Sequence, residues 1–559
     1  MPTRQLSNEI HLGILTYLTR KDQIQYSLVC RNWREAAKHL LFKTICLNDD
    51  QQIASFVHLL ATAPSLRDLV KILVLRGRRC LTNETVCASL IHMTPCLKTL
   101  ITDFASMLLY QIASQEVKFG HWCFLDYLEY KHFEYDHVST IGMDDGYHAL
   151  LASLQDRLST VTLSIQSHPQ SPLEPICFHF PLLINRQTCF GASKHLICIS
   201  NSMAAIRSLD DALKLCPHAT KLTLDLDHLD SYEDQMIPIV PNTTIEHLSI
   251  NLSYGTPAIF DYMNSKFTGI KQLTLTIHRL DISPKNTPYS DATLESTILQ
   301  IFQCAQTTDV FDIALEEMGN YLKLTSFFLH PWEGAMEIIL DRNMIQLKHD
   351  KSKSKHSYLC IKPDAGQTDF LLGMPTAYLN RLNTLDLAKL HPSYGRPLAY
   401  CTHLQALYLS YDGGLDAYSG PTLPITHLTL RRMGDSGYFQ TQFTRQTPNL
   451  RHVCIETTGN DDRIDMPTCS FDSIRIRVRH NQLSRQFSIH LRYSGQSTFY
   501  QVTNNQTVST YRSLVGEVFV IQCRETKYVE IQWDDFLFSL ELPSPLSLKT
   551  PKINPLDPT

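Results

Sequence analysis

A short phrase keeps returning along this chain: SLRDLVKILVL, TPCLKTLI, CPHATKLTLDL, PNTTIEHLSI, GIKQLTLTI, RLNTLDL, HLQALYL, PITHLTL and PNLRHVCI. Nearly all read hxxhxh, where h is apolar, and TPCLKTLI departs at its last position. First anchors of successive copies lie 25 residues apart from Ile245 to Ile270, 21 from Leu404 to Ile425, and 25 from Ile425 to Leu450. Self-similarity at that period marks a solenoid, because one unit cannot bury its own apolar side and must stack on the next. The anchors include Val70-Leu73-Leu75, Ile245-Leu248-Ile250, Ile270-Leu273-Leu275, Leu404-Leu407-Leu409, Ile425-Leu428-Leu430 and Leu450-Val453-Ile455. The alternating last two anchors predict a short strand, and Met203 to Cys216 reads as a helix leading into one. Pro64, Pro95, Pro217, Pro241 and Pro448 punctuate the return to the strand, since proline ends a helix.

These phrases resemble divergent leucine-rich repeats, loosely the cysteine-bearing kind, with CPHATKL and CTHLQAL carrying that flavour. The family's ladder asparagine is replaced by Asp227, Ser253, His278, Asp412 and Thr458, polar side chains that can still bond backbone amides. An irregular α/β protein with Leu-rich strands is the competing reading. Residues 166–190 and 281–380 scan poorly and are expected to be irregular insertions, with LTSFFL from Leu324 a plausible repeat strand.

Ahead of the array, Leu6, Ile10, Ile14 and Leu18 recur at four-residue spacing with Leu15 beside them, one face of a helix. Ser7 is a plausible cap. Asp22 and Gln25 have capping-box spacing for a second helix, and NWREAAKHLLF reads as a third. Three short helices have too much surface to bury this Leu, Ile, Val and Trp among themselves. The cluster packs on the rest of the chain or is an interface.

The stretch LSNEIHLGILTYLTRKDQIQYSLVCRNW resembles the F-box, with an LxxEI opening in register with a VCRNW ending. Ser7 stands where that family usually has proline, and Gln23-Ile24 follows Asp22 where leucine is commonest. The resemblance covers Leu6 to Phe42 and implies an F-box over residues 1–46 that docks on a Skp-type adaptor, which bridges to a cullin. By position, Leu6, Ile10, Ile14, Leu18, Ile24, Leu28, Val29 and Trp33 would face the adaptor or the domain's small core. The alternative is an amphipathic helical cap on the repeats. Exposure separates the two: repeats covering Ile10, Val29 and Trp33 favour a cap, and a solvent-facing patch implies an absent partner.

From Phe471 the pattern becomes strict alternation, SIRIRVRH, FSIHLRYSG, GEVFVIQC, YVEIQW and FLFSLEL, which predicts β-strands. The expected organisation is therefore α/β: a three-helix F-box, a leucine-rich-repeat solenoid or horseshoe over 47–465, and a β-rich end over 466–543 of terminal repeats or a cap. Residues 544–559 are expected to be a disordered tail. Arg475, Arg477 and Arg479 share a strand face, read as an ordinary solvated face rather than an anion-binding strip. Lys348 to Ser357 reads as a solvated loop, GMDDGYH at 142–148 as a turn, and His132, Glu134, Asp136 and His137 as ordinary surface rather than a metal set.

The sixteen cysteines hold no CxxC pair, and many sit in apolar runs such as LVC, KTICL and LICI, where cysteine behaves as a small hydrophobe. The formal charge of −5 gives no electrostatic case for nucleic acid or an anionic membrane. MPTRQLSNEI has no apolar signal core, and no stretch reaches a membrane-spanning length of apolar residues. Cytosol or nucleus is the expected compartment. No motif names a nucleophile, base, cofactor or metal. The resemblances together imply a non-catalytic substrate receptor of a cullin-type ubiquitin ligase, or alternatively a leucine-rich-repeat interaction scaffold. An unidentified protein substrate would meet the strand residues pointing away from the leucines: Thr223, Asp225, Ser249, Asn251, Thr274, Thr276, Tyr408, Ser410, Thr429 and Arg431.

Overall fold

The structure, a computed structural model, describes residues 8–76, 83–102, 107–130, 143–164, 183, 188–230, 239–280, 290–316, 324–341, 344–362, 370–388, 392–410, 420–431, 438–439, 446–457, 463–478, 486–493, 496–503, 508–510, 517–533, 536–541 and 552–553. The chain divides into two compact units, residues 1–272 and 273–559.

The first unit opens with helices α1 (Asn8–Thr16), α2 (Arg20–Ser27) and α3 (Arg31–Leu41). Strands then alternate with helices: β1 (Thr44–Leu47), α4 (Asp50–Thr62), β2 (Ile72–Leu75), α5 (Glu84–Met93), β3 (Thr99–Thr102), α6 (Met107–Glu116), β4 (Tyr127–Tyr130), α7 (Met143–Ser153) and β5 (Thr160–Ser164). β6 (His195–Ala205), β7 (Lys221–Asp230) and β8 (His247–Tyr254) follow. Each of these strands pairs in parallel with the strand before it. Parallel neighbours need long crossovers, and capped helices supply them. Asp49 accepts from the Gln52 amide to start α4, and Asn83 accepts from Thr85 and Val86 to start α5.

In the second unit β9 (Gln272–Arg279) pairs with β10 (Val310–Glu316). β12 (Met344–Asp350) runs antiparallel between β10 and β11 (Ala335–Leu340). Parallel order then resumes from β11 through β13 (His356–Ile361), β14 (Thr384–Leu387), β15 (Ala406–Leu409) and β16 (His427–Leu430). It continues through strands His452–Thr457, Ser473–Val478 and Tyr528–Trp533, and Phe536–Glu541 then adds to this sheet antiparallel. Residues 463–471, 486–493, 496–503, 508–510 and 517–526 belong to a second, mixed sheet.

All eighteen residues of the six anchor triplets are buried. Their strands belong to a large parallel sheet of a mixed α/β protein. Other expectations need correction. Residues 281–380 are not an irregular insertion: they hold the helix Asp291–Gln306 and strands β10 to β13. The antiparallel β12 interrupts the repeat, so its alternation MIQLKHD carries no hxxhxh signature. LTSFFL forms a short helix, Thr325–Leu329, because Phe327 packs into an aromatic cluster with Phe302, Phe311 and Trp332 while Phe328 is buried against Tyr378. GMDDGYH is not a turn: α7 begins at Met143 and seats Tyr147, Leu150 and Leu151 in the core. Met203 to Ala205 end β6, so the helix read from Met203 starts at Ile206.

Among the ladder positions, Ser253 and His278 lie within strands β8 and β9, which run on past the expected turn, and His278 meets the Glu316 carboxylate at 2.8 Å. Asp412 and Thr458 lie outside the described residues, as do His132, Glu134, Asp136, His137 and most of 166–190. The expected tail is ordered at Lys552–Ile553, which pair with Glu541 and Leu540. Of the cysteines in LVC, KTICL and LICI, Cys198 is buried, while Cys30 and Cys46 are exposed.

Candidate functional site

The three N-terminal helices owe their arrangement to a few residues. Thr19 opens α2: its hydroxyl oxygen accepts from the Asp22 amide at 3.3 Å and donates to the Asp22 carboxylate at 2.6 Å. The cap is therefore Thr19 with Asp22 at the third helical position, one turn before the Asp22–Gln25 pair read from sequence. The Gln23 side-chain amide donates to the Leu15 and Leu18 carbonyls, at 2.9 and 3.2 Å, tying the end of α1 to α2. Inside lie Leu15, Ala36 and Ala37, with Leu18, Tyr26, Leu40 and Leu41 packed around them.

That core is too small to cover the remaining apolar side chains. Ile10 and Ile14 are exposed on α1, and Ile24 on α2, with Leu28 and Val29 just beyond it at 66% and 60% exposure. Among the described residues sixteen large apolar side chains are exposed, and seven of them fall between Ile10 and Val29. The spacing of Ile10 and Ile14 places that pair on one side of α1. Two members of the seven, Leu12 and the 92%-exposed Tyr17, were missed by the four-residue spacing. Trp33 is half-buried, its ring stacked on Tyr26 at 4.0 Å, and Leu18 is half-buried against the core. Leu6 lies outside the described residues. Ile10 and Val29 therefore face solvent rather than the parallel strands, the pattern of a surface that awaits a partner.

The strand residues expected to meet a substrate fall in both units, four in the first and six in the second. Along β8 and β9 burial alternates, with Leu248, Ile250, Leu252, Leu273, Leu275 and Ile277 buried and Ser249, Asn251, Thr274 and Thr276 half-buried. Thr223, Tyr408, Ser410, Thr429 and Arg431 are likewise half-buried, and Asp225 is exposed. Asn251 donates to Asp225 across the β7–β8 pair at 2.9 Å. In the second unit Arg431 lies over the Tyr408 ring, 5.2 Å from its centroid, and pairs with Asp386 at 2.6 Å. Arg475 and Arg477 are not an ordinary solvated face: Arg475 makes a two-pronged contact with Glu530, and Arg477 reaches Glu456 at 3.3 Å. Both carboxylates are buried. Arg479 lies outside the described residues.

His195 neighbours Thr223, with Nε2 2.8 Å from its hydroxyl. Burial first, then the Lys221 charge, depresses its pKa to about 4. An unfolded histidine titrates near 6.5, so between pH 6.5 and 4 the unfolded chain takes up a proton that the folded chain refuses. Stability present above pH 6.5 is therefore lost as pH falls toward 4. In urea unfolding of the first unit across that window, His195→Gln gives a flatter pH dependence than the wild type. Equal slopes would remove His195 as a cause.

Among the described residues no helix is long and apolar enough to cross a membrane. Residues 8–48 match the family model described as F-box-like. No curated protein matches the chain.

Proposed function

We propose that the chain is the substrate receptor of a Skp–cullin–F-box ubiquitin ligase, a non-catalytic subunit. F-box domains bind Skp-type adaptors, and residues 8–48 are an F-box-like domain. The observation that carries the reading is the row of seven exposed apolar side chains from Ile10 to Val29 on that domain. The hxxhxh strands are taken as divergent leucine-rich repeats, supported by their buried anchors, parallel order and 21- to 25-residue spacing. Repeat arrays present extended surfaces to protein partners, here through the strand residues named above. The receptor's contribution is proximity: a substrate held on the repeats sees a high effective concentration of charged ubiquitin-conjugating enzyme. No residue of this chain transfers ubiquitin. Cytosol or nucleus is where such a ligase subunit would work.

Thiol footprinting of the full chain tests the docking. Cys30, exposed at the start of α3 beside Val29, and Cys46, Cys123 and Cys189 are open to alkylation. Burial pushes the thiols of Cys216 and Cys401 up to about 12 and those of Cys87 and Cys360 to about 11, which leaves them unreactive. Adding a Skp-type adaptor protects Cys30 and leaves Cys123 and Cys189 labelled. Labelling of Cys30 that persists at saturating adaptor would leave a repeat scaffold whose helices only cap the array.

A further inference from the structure

We propose that His92, Glu116 and His121 form a binding site for a divalent transition cation of the Zn²⁺ class. His92 lies in the last turn of α5, Glu116 ends α6, and His121 stands in the turn beyond it. The His92 Nε2 is 2.9 Å, and the His121 Nε2 3.6 Å, from one oxygen, Oε2 of Glu116. One ligand atom from each residue lies within 4.8 Å of the other two. Ligand atoms around a tetrahedral zinc, each about 2.0–2.1 Å from the metal, sit roughly 3.3 Å apart. The two measured separations bracket that value.

Without a cation the arrangement is awkward. The two imidazoles stack with centroids 4.1 Å apart and planes 14° from parallel. For both Nε2 atoms to donate to the same carboxylate oxygen, two positively polarised N–H edges must lie side by side. A cation at their focus instead takes the lone pair of each neutral ring and the carboxylate charge. Two histidines and one carboxylate are a ligand set suited to zinc and its neighbours, and they leave one tetrahedral position to water or to an atom from a partner. All three side chains are partly exposed, so the cation has a route in.

The ligands are also held in place. Trp122 has a φ of 49° and follows Gly120 at φ 92°, a tight reversal that only glycine enters cheaply. The Trp122 ring is fully buried, and its Nε1–H donates to the Thr94 hydroxyl at 2.9 Å. Thr94 in turn donates to the Leu90 carbonyl at 2.8 Å at the end of α5. Through this bond the turn is pinned to the helix that carries His92, which sets His121 opposite it. The His121 amide donates to the Glu116 carbonyl at 3.1 Å, fixing the remaining pair. Supporting contacts of this kind orient metal ligands.

The test is Zn²⁺ titration of the full chain by calorimetry and thermal unfolding, with Co²⁺ as an optical probe. The wild type takes up one more equivalent of Zn²⁺ than His92→Ala or His121→Ala, and Glu116→Gln weakens that equivalent about tenfold or more. The alanine variants melt like the wild type without metal, since both rings are partly exposed, but lose the rise in midpoint that Zn²⁺ gives. His121→Cys, which supplies a thiolate ligand, restores the rise and adds a sulfur-to-cobalt absorption band. Equal Zn²⁺ uptake by the wild type and His121→Ala, or no uptake by either, would overturn the assignment.

Discussion

Replacing Leu28 and Val29 together by aspartate abolishes capture of a Skp-type adaptor by the full chain, while its melting temperature stays at the wild-type value. Both side chains are more than half exposed, so the free chain loses little packing. On docking, each apolar group removed from water contributes about 1.5–3 kcal/mol, and a carboxylate in its place must be desolvated without a partner. Losing even one such contribution weakens binding at least about tenfold, and losing two weakens it about a hundredfold or more. The pair is a better choice than Trp33, whose stacking on Tyr26 belongs to the packing of α2 on α3. Leu15 is worse still. It is fully buried against Ala36 and Ala37, and Leu15→Ala would cost binding by loosening the domain itself. Phe119→Ala, at an exposed site outside the F-box-like residues, is the matched control and leaves capture intact. Undiminished capture by the double aspartate variant, read by calorimetry, would sink the docking assignment.

What the sequence made legible follows from how locally each feature is encoded. The hxxhxh anchors could be read because each strand buries residues two apart and its helix-side neighbour three before them, all within one phrase. Of the exposed apolar side chains, Ile10 and Ile14 were legible from their helical spacing, whereas Leu12 and Tyr17 fall outside it. Features set by partners far along the chain were not. Glu530, which holds Arg475, is 55 residues away, so three arginines in alternation looked like free surface. His92 stands 24 residues before Glu116, on a different helix, and only the insertion of Trp122 brings His121 to them. α7 was hidden behind turn-forming Asp and Gly at 144–146, where packing of Tyr147 and Leu150 overrides local preference. β12 is antiparallel between parallel neighbours, and no pattern within one strand states its direction.

The largest stability effect is expected at the Asp386–Arg431 pair, where the fold of the second unit and its proposed partner face meet. This carboxylate is 2% exposed on β14. It accepts the Tyr358 hydroxyl at 2.9 Å and pairs with Arg431 at 2.6 Å, the guanidinium reaching from just past the end of β16 across the Tyr408 ring on β15. The two ends of the pair are not equivalent. Arg431→Ala leaves a buried ion with one hydroxyl donor and costs about 3–5 kcal/mol. Asp386→Leu frees an arginine that already reaches solvent, so its cost is smaller, about 1–3 kcal/mol from the unpaired Tyr358 hydroxyl and the altered packing. The double variant Asp386→Leu, Arg431→Met sits close to the single leucine variant rather than at the sum, because the charge that Arg431 compensated is gone. Urea unfolding of the four proteins measures the cycle, and additive losses would show that the pair holds nothing together. The same asymmetry separates stability from recognition. Asp386→Leu keeps the unit folded but releases Arg431 from Tyr408, so any partner that reads those two side chains as a fixed pair binds it more weakly without a matching loss of stability.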